Sequence, residues 1–152
     1  MRRILIQKGD PASPGSLRLI ERLDKYQKDL YPAESNHLLS VEALRQPNVT
    51  FLVATVDGEI AGCGAFVGHI GEYAEIKRMF VLPEFRGLNI GRRILEELEN
   101  LARASGLRLV RLETGIHQSE ALRLYQRADY QRCGPFGDYS EDPLSVFMEK
   151  KL

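Results

Sequence analysis

The chain has 152 residues, 43% of them apolar, and 21 Lys and Arg balance 21 Asp and Glu, so the formal net charge is zero. That length suits one domain over residues 1–152 with a proper core. Charge neutrality argues against a nucleic-acid or membrane partner and leaves room only for a local basic patch.

The opening MRRILIQKGD has only three apolar residues after its arginines. That run is too short for a signal-peptide core, and no apolar stretch approaches a membrane span, so a cytoplasmic setting is expected. Within it, ILIQ reads as a first strand. GDPASPGS is a loop from which Ser13 or Ser16 can cap a helix carrying Leu19, Ile20, Leu23, Tyr26 and Leu30 at helical spacing. Pro32 ends that helix, and a shorter one, capped by Ser40, stops before Pro47. The period then changes. FLVATV and EIAGCGAFV are β-rich runs joined by Asp57-Gly58, a two-residue hairpin signal. EYAEIKRMFV is a third long strand and ends before Pro83, which cannot extend a ladder. Gly62 and Gly64 share one strand face, which would admit a helix or cofactor closely, while Cys63 points the other way into the core. The next helix carries Ile90, Ile94, Leu95, Leu98, Leu101 and Ala102 on one stripe, with charge opposite, and stops at Gly106. LRLVRLET is a strand, SEALRLYQRA a helix, and YQRCGPF and SVFMEK a final pair of strands. The order predicts an α/β domain, a mostly antiparallel mixed sheet of about six to seven strands with about four helices on both faces. Cys63 and Cys133 lack metal-ligand spacing and the three histidines are scattered, so reduced structural thiols and no metal site are expected.

One stretch contradicts ordinary helix chemistry. A helix start carries partial positive charge and unpaired N–H groups, which favour acidic residues. RGLNIGRR instead places Arg86, Arg92 and Arg93 there, with Gly87 and Gly91 and no carboxylate before Glu96. Pairs of Arg92 and Arg93 with Glu96 and Glu97 would contribute about 0.2–0.5 kcal/mol each. Opposition to the dipole would cost about 0.3–1 kcal/mol per cation. The two roughly cancel, whereas an anion docked on the free amides would use dipole, amides and guanidinium charge together. The stretch is neither a P-loop nor a dinucleotide fingerprint, since the G-x-x-x-x-G-K-[ST] and G-x-G-x-x-G patterns are both absent.

MFVLPEFRGLNIGRRILEELE resembles motif A of the GNAT superfamily of acyl-CoA-dependent N-acetyltransferases, in which Arg/Gln-x-x-Gly-x-Gly/Ala joins a strand to a helix and its amides hold the pyrophosphate of coenzyme A. Arg86 and Gly91 fill the first and last marked positions. Asn89 stands where the family has glycine, and asparagine is the residue next most tolerant of left-handed backbone angles. QSEALRLYQRADY resembles the family's Asn-x-x-Ala-x-x-Leu-Tyr-x-x-x-Gly-Phe block. Ala121, Leu124 and Tyr125 match, and Gln118, Asp129 and Tyr130 stand for its Asn, Gly and Phe. The similarity runs through the element order, about residues 3 to 150, and points to a bacterial branch of small GNAT proteins.

The resemblance implies the GNAT fold, acetyl-CoA as cosubstrate, and transfer of an acetyl group to a primary amine of a small molecule, or of a peptide or protein. It implies that backbone groups of Met79, Phe80 and Val81 hold the acetyl carbonyl and pantetheine arm. The pyrophosphate would lie on the amides of Arg86, Gly87, Leu88, Asn89, Ile90, Gly91 and Arg92, with Gln118 beside them. Tyr125 would be the general acid that protonates the departing thiolate; its alternative is a core tyrosine beside Leu122. Glu75, eleven residues before Arg86, occupies the offset of the catalytic glutamate in the histone-acetylating branch. Its alternative is a pair with Lys77 or Arg111 across the sheet. Glu113 is the second candidate base. Tyr31, Glu34, His37 and Tyr139 are candidate acceptor contacts, each also readable as an ordinary surface residue. No nucleophile stands beside a base, so direct attack on the thioester is expected. Members of the superfamily often dimerise, which makes a homodimer an open expectation. The rival reading is a catalytically silent module of the same fold that senses CoA or acetyl-CoA.

Overall fold

The computed structural model describes residues 2–35 and 38–152. Its sheet is built around the hairpin of β2 (Val49–Val56) and β3 (Glu59–His69). Asp57 and Gly58 turn it at φ 50° and 84°. Two consecutive left-handed residues are what a tight turn matched to strand twist requires. The Asp57 carboxylate also accepts a bond from the Arg3 amide at 2.8 Å, which sets β1 (Ile4–Lys8) alongside β2. β4 (Tyr73–Val81) follows β3, then come β5 (Leu109–Gly115), β6 (Gln131–Cys133) and β7 (Ser145–Lys151). The seven strands lie in the order β1-β2-β3-β4-β5-β7-β6, neighbours pairing antiparallel except β4 with β5.

Four helices cover the sheet. α1 (Pro14–Leu30) starts at Ser13, whose hydroxyl accepts the Ser16 amide at 3.3 Å, with Pro14 pre-set for the first turn. Its Leu19 and Ile20, with Leu44 of α2 (Val41–Leu44), pack on Phe51, Val53, Cys63 and Ala65. α3 (Ile90–Ala104) and α4 (Ser119–Arg127) lie on the opposite face. Ile94, Leu95, Leu98, Ala102 and Tyr125 bury against Leu52, Ala74, Ile76, Val110 and Met148. Residue alternation along each strand feeds these two layers, as period-two burial demands. The expected element order is met among the described residues, with four α-helices and seven strands.

Glycine admits α3 and β4 as the sequence suggested. A Cβ at Gly64 would stand 2.7 Å from Ile94 Cγ2 and 2.5 Å from Met79 Sδ, and one at Gly62 would stand 2.7 Å from the Phe80 carbonyl oxygen. One carboxylate of α3, Glu99, departs from the charged outer face. It is buried, because Lys150 Nζ (3.0 Å) and the Tyr130 hydroxyl (2.9 Å) supply its partners. Both thiols are free, Cys63 buried in the core and Cys133 half-buried on β6. No helix among the described residues is long and apolar enough to cross a membrane.

Candidate active site

The site begins where β4 leaves the sheet. β4 pairs with β5 only over Ala74–Ile76 against Val110–Leu112. On its other side, Ala65 pairs with Lys77 and Cys63 with Phe80, so two residues of β4, Arg78 and Met79, oppose Gly64 alone. That is a β-bulge, which bends a strand and breaks its ladder. Arg78 takes φ 57°, a left-handed angle for a non-glycine residue. Its guanidinium is 4% exposed, bonded to Asp24 Oδ1 of α1 at 2.5 Å and to the Leu39 carbonyl at 2.6 and 3.1 Å. Surroundings that hold a residue this firmly are what keep such an angle populated. Beyond the bulge, Met79 to Val81 present backbone with no β5 partner.

A cleft of about 550 Å³ runs along that edge, bounded by the loop 86–89, the start of α3 and one face of α4. Asn89 precedes α3 at φ 63° with no side-chain capping bond, and Gly87 sits at φ 85°. The loop thus keeps the left-handed shape expected of asparagine at this place. The Arg93 amide is the first to enter the helix ladder, bonding the Asn89 carbonyl at 3.2 Å; the amides before it belong to the turn a helix leaves unpaired. No acidic residue lies in the first turn. Arg86, Arg92, Arg123 and Arg127 all line the cleft. Arg92 makes the foreseen bond to Glu96, at 2.9 Å, and also reaches the Arg127 carbonyl at 3.1 Å. Arg86 binds Glu120 of α4 at 3.1 Å. Phe80, Val81, Ile90, Gly91 and Gln118 line the cleft as well, whereas Leu88 packs against the core. An unpaired strand edge leading to a basic, side-chain-poor helix tip fits an extended amide-bearing arm that ends in a diphosphate.

A second, smaller cavity of about 70 Å³ lies on the α1 side. It meets the cleft at Met79, Gln118, Ala121 and Tyr125, which line both. Tyr125 is buried, and burial, then the nearby charge of Glu113, pushes its phenol pKa up. Glu113 lines the small pocket and accepts the Ser145 hydroxyl at 2.7 Å. Gln118 anchors the strand-to-helix turn, its Oε1 accepting the Gly115 amide at 3.0 Å. Tyr31 forms part of the wall. Its hydroxyl accepts the His117 amide at 3.0 Å, and it stacks on the His117 ring. A Cβ at residue 115 would stand 1.7 Å from that hydroxyl. Ser35 donates to Asp142 at 2.6 Å, joining the segment after α1 to the β6–β7 loop above the pocket.

Other sequence candidates lie elsewhere. Glu75 lines neither cavity. It accepts the Tyr139 hydroxyl at 2.6 Å and Lys77 Nζ at 3.0 Å, and lies 3.5 Å from His69 Nε2, so the pairing alternative with Lys77 is realised. Arg111 pairs with Glu149 instead, at 3.2 Å. Tyr139 belongs to the Glu75 cluster, with Lys77 also donating to it, and its phenol is driven up by burial first and then by the bond to Glu75. Glu34 is exposed on a 3-10 turn and lines neither cavity; its distance from the pocket follows from the turn carrying it into solvent. His37 lies outside the described residues. Sequence reasoning missed Arg78, for which nothing local signals a bulge. It also missed Tyr26, Glu120, Arg123 and Arg127 in the cleft. The last three are spaced three and four apart, a helical stripe that was open to reading.

The geometry therefore combines a strand edge without a β5 partner, a basic helix tip and a second, smaller pocket that meets the cleft. Residues 17–130 match the acetyltransferase (GNAT) family. The chain is 49% identical to an IAA acetyltransferase of Azospirillum brasilense over 153 residues, with the whole of each chain covered. It is 40% identical to the uncharacterized N-acetyltransferase YsnE of Bacillus subtilis, over 80% of this chain and 82% of that one. Among solved structures it is similar to a Klebsiella pneumoniae protein of acyl-CoA N-acyltransferase type, with a TM-score of 0.83, 37% identity and 98% and 97% of the two chains covered. The chain belongs to the GNAT family and is an acyl-CoA-dependent N-acetyltransferase with acetyl-CoA as cosubstrate.

Proposed function

We propose that this enzyme acetylates the primary amine of a small molecule by direct attack in a ternary complex. The observation that carries the reading is the meeting of the two cavities at Tyr125 and Met79, where the β4 edge comes free. The small volume of this pocket, about 70 Å³, supports a small amine over a peptide.

Acetyl-CoA supplies an activated acetyl thioester. The Met79–Val81 backbone aligns its arm by strand-like pairing, and the Arg86 guanidinium and the amides before Arg93 hold its diphosphate. Glu113, within the pocket, takes the proton from the ammonium so that nitrogen can bond to the acetyl carbon. As the carbon–sulfur bond breaks, Tyr125 gives its proton to the sulfur, and the second proton shed by the acylated nitrogen restores the phenol. The Tyr125 phenol holds its proton at neutral pH; the upward push from burial makes it a weaker acid, so its transfer awaits the charge that develops on sulfur. Glu113 lines the pocket and Glu75 does not, its partner Lys77 standing in the wall instead, which favours Glu113 as base. Neither cysteine lines either cavity, which supports direct attack over a thioester on the enzyme.

The experiment is release of free CoA thiol from acetyl-CoA against a panel of primary amines, with the acceptor for which the Azospirillum relative is named assayed beside it, and mass spectrometry of the products. Thiol release with formation of an acetylated amine is expected. Tight CoA binding with no release for any amine, and none in cell extract, would overturn the reading.

A further inference from the structure

The cleft holds one carboxylate among its lining residues. Four guanidinium groups line it, and against them stands Glu120 alone. Its position invites a local explanation, since it lies in the first turn of α4 where the dipole favours an acid. The local explanation does not account for its partner. Glu120 reaches across the cleft to Arg86, on the loop after β4, with Nε to Oε2 at 3.1 Å and Nη1 to Oε1 at 3.4 Å. Both side chains are substantially exposed, 40% and 60%, so the pair exchanges partners without burying or stranding a charge. By contrast Arg92 is committed to its own helix and to the Arg127 carbonyl.

Resting on the acetyl-CoA reading of this cleft, we propose that Glu120 is a tethered competitor for the cofactor diphosphate. Its carboxylate takes the guanidinium that the diphosphate would take. CoA binding therefore exchanges one Arg86 partner for another and leaves a carboxylate beside the phosphates. The consequence is weaker retention of CoA and faster departure of the product. No covalent step is involved.

Calorimetric titration with CoA tests this in the full chain, with stopped-flow dissociation as a second readout. Glu120→Gln is expected to tighten CoA binding by about two- to fivefold, the range of one partly exposed ion pair, chiefly through slower dissociation. Glu120→Asp keeps an acid at the helix start but shortens its reach, and is expected to tighten binding in the same direction. Arg86→Gln should cost more affinity in the Glu120→Gln background than in the wild type, since the arginine then answers only to the phosphates. Unchanged or weaker CoA binding in both Glu120 variants would overturn the proposal and leave Glu120 as a residue that orients Arg86. Failure of the wild type and every variant to bind CoA would overturn the cofactor reading itself, a different result from the first.

Discussion

Arg78 is a long cationic residue in a conformation that glycine adopts freely, at φ 57° within β4. Its bonds to Asp24 and Leu39 hold it there, so side-chain anchoring and backbone strain oppose one another in one residue. Two substitutions separate them. Arg78→Gly loses the anchor and relieves the strain; Arg78→Ala loses the anchor and keeps the strain. The alanine variant is expected to be the less stable of the two by about 1 kcal/mol in urea unfolding. At Tyr125, only the hydroxyl is at issue. Tyr125→Phe should keep acetyl-CoA affinity in calorimetry and lower kcat by about 10² or more in the thiol-release assay. An equal loss of affinity and turnover would mark it as a packing residue. Gly115→Ala drives a methyl into the Tyr31 ring and is expected to cost about 1–3 kcal/mol, read as a fall in denaturation midpoint.

α3 and α4 each carry a left-handed residue beside them, Asn89 before the first and Asp129 after the second. Both stand where the family motifs have glycine, and both show why asparagine and aspartate are accepted substitutes. Asp129 is exposed and its amide bonds the Gln126 carbonyl, so its side chain is not needed to end the helix. Asp129→Gly is expected to raise stability by about 0.5–1 kcal/mol, measured by urea unfolding. These elements were legible because their signals are local: apolar spacing, a capping serine, a turn dipeptide, a basic helix tip. The bulge in β4 was not legible. It is a relation between the strand and Gly64 on its neighbour, and MFV reads as an ordinary strand end. The same reason hid Glu99, whose spacing marks an outer face until Lys150 and Tyr130 arrive from distant parts of the chain.

Across the whole molecule, net neutrality conceals a basic cleft, since charge sums over the chain while binding answers to a local field. Burial has a similar collective effect on the acidic side chains that ionise at high pH. Cys63 is pushed up to about 12, chiefly by burial, and Tyr125, Tyr130 and Tyr139 are raised from their ordinary value of 10 for the same first reason. A raised folded-state pKa means the native chain keeps protons that the unfolded chain releases. The associated stability is present below the unfolded values near 9 and 10 and is lost as pH rises beyond them. Denaturation midpoints should therefore hold to about pH 9 and fall steadily above it. Cys63→Ala should flatten the first part of that fall. In native protein at pH 8, a thiol reagent should modify Cys133 well before Cys63, which needs unfolding to become accessible.

Elements, their order and the basic start of α3 follow from residues within a turn or two of one another, and such short-range chemistry is written in the chain itself, whereas the candidate tyrosine came from the resemblance of its block to the family's. Which carboxylate faces the pocket is decided otherwise. Glu75 and Glu113 lie on neighbouring parallel strands, and local sequence treats them alike. Lys77 and Tyr139 engage the first, while the second lines the cavity beside Tyr125. Lys77 is a near neighbour that the sequence already offered, but Tyr139 and the cavity wall beside Glu113 come from far along the chain, and only tertiary packing brings them together.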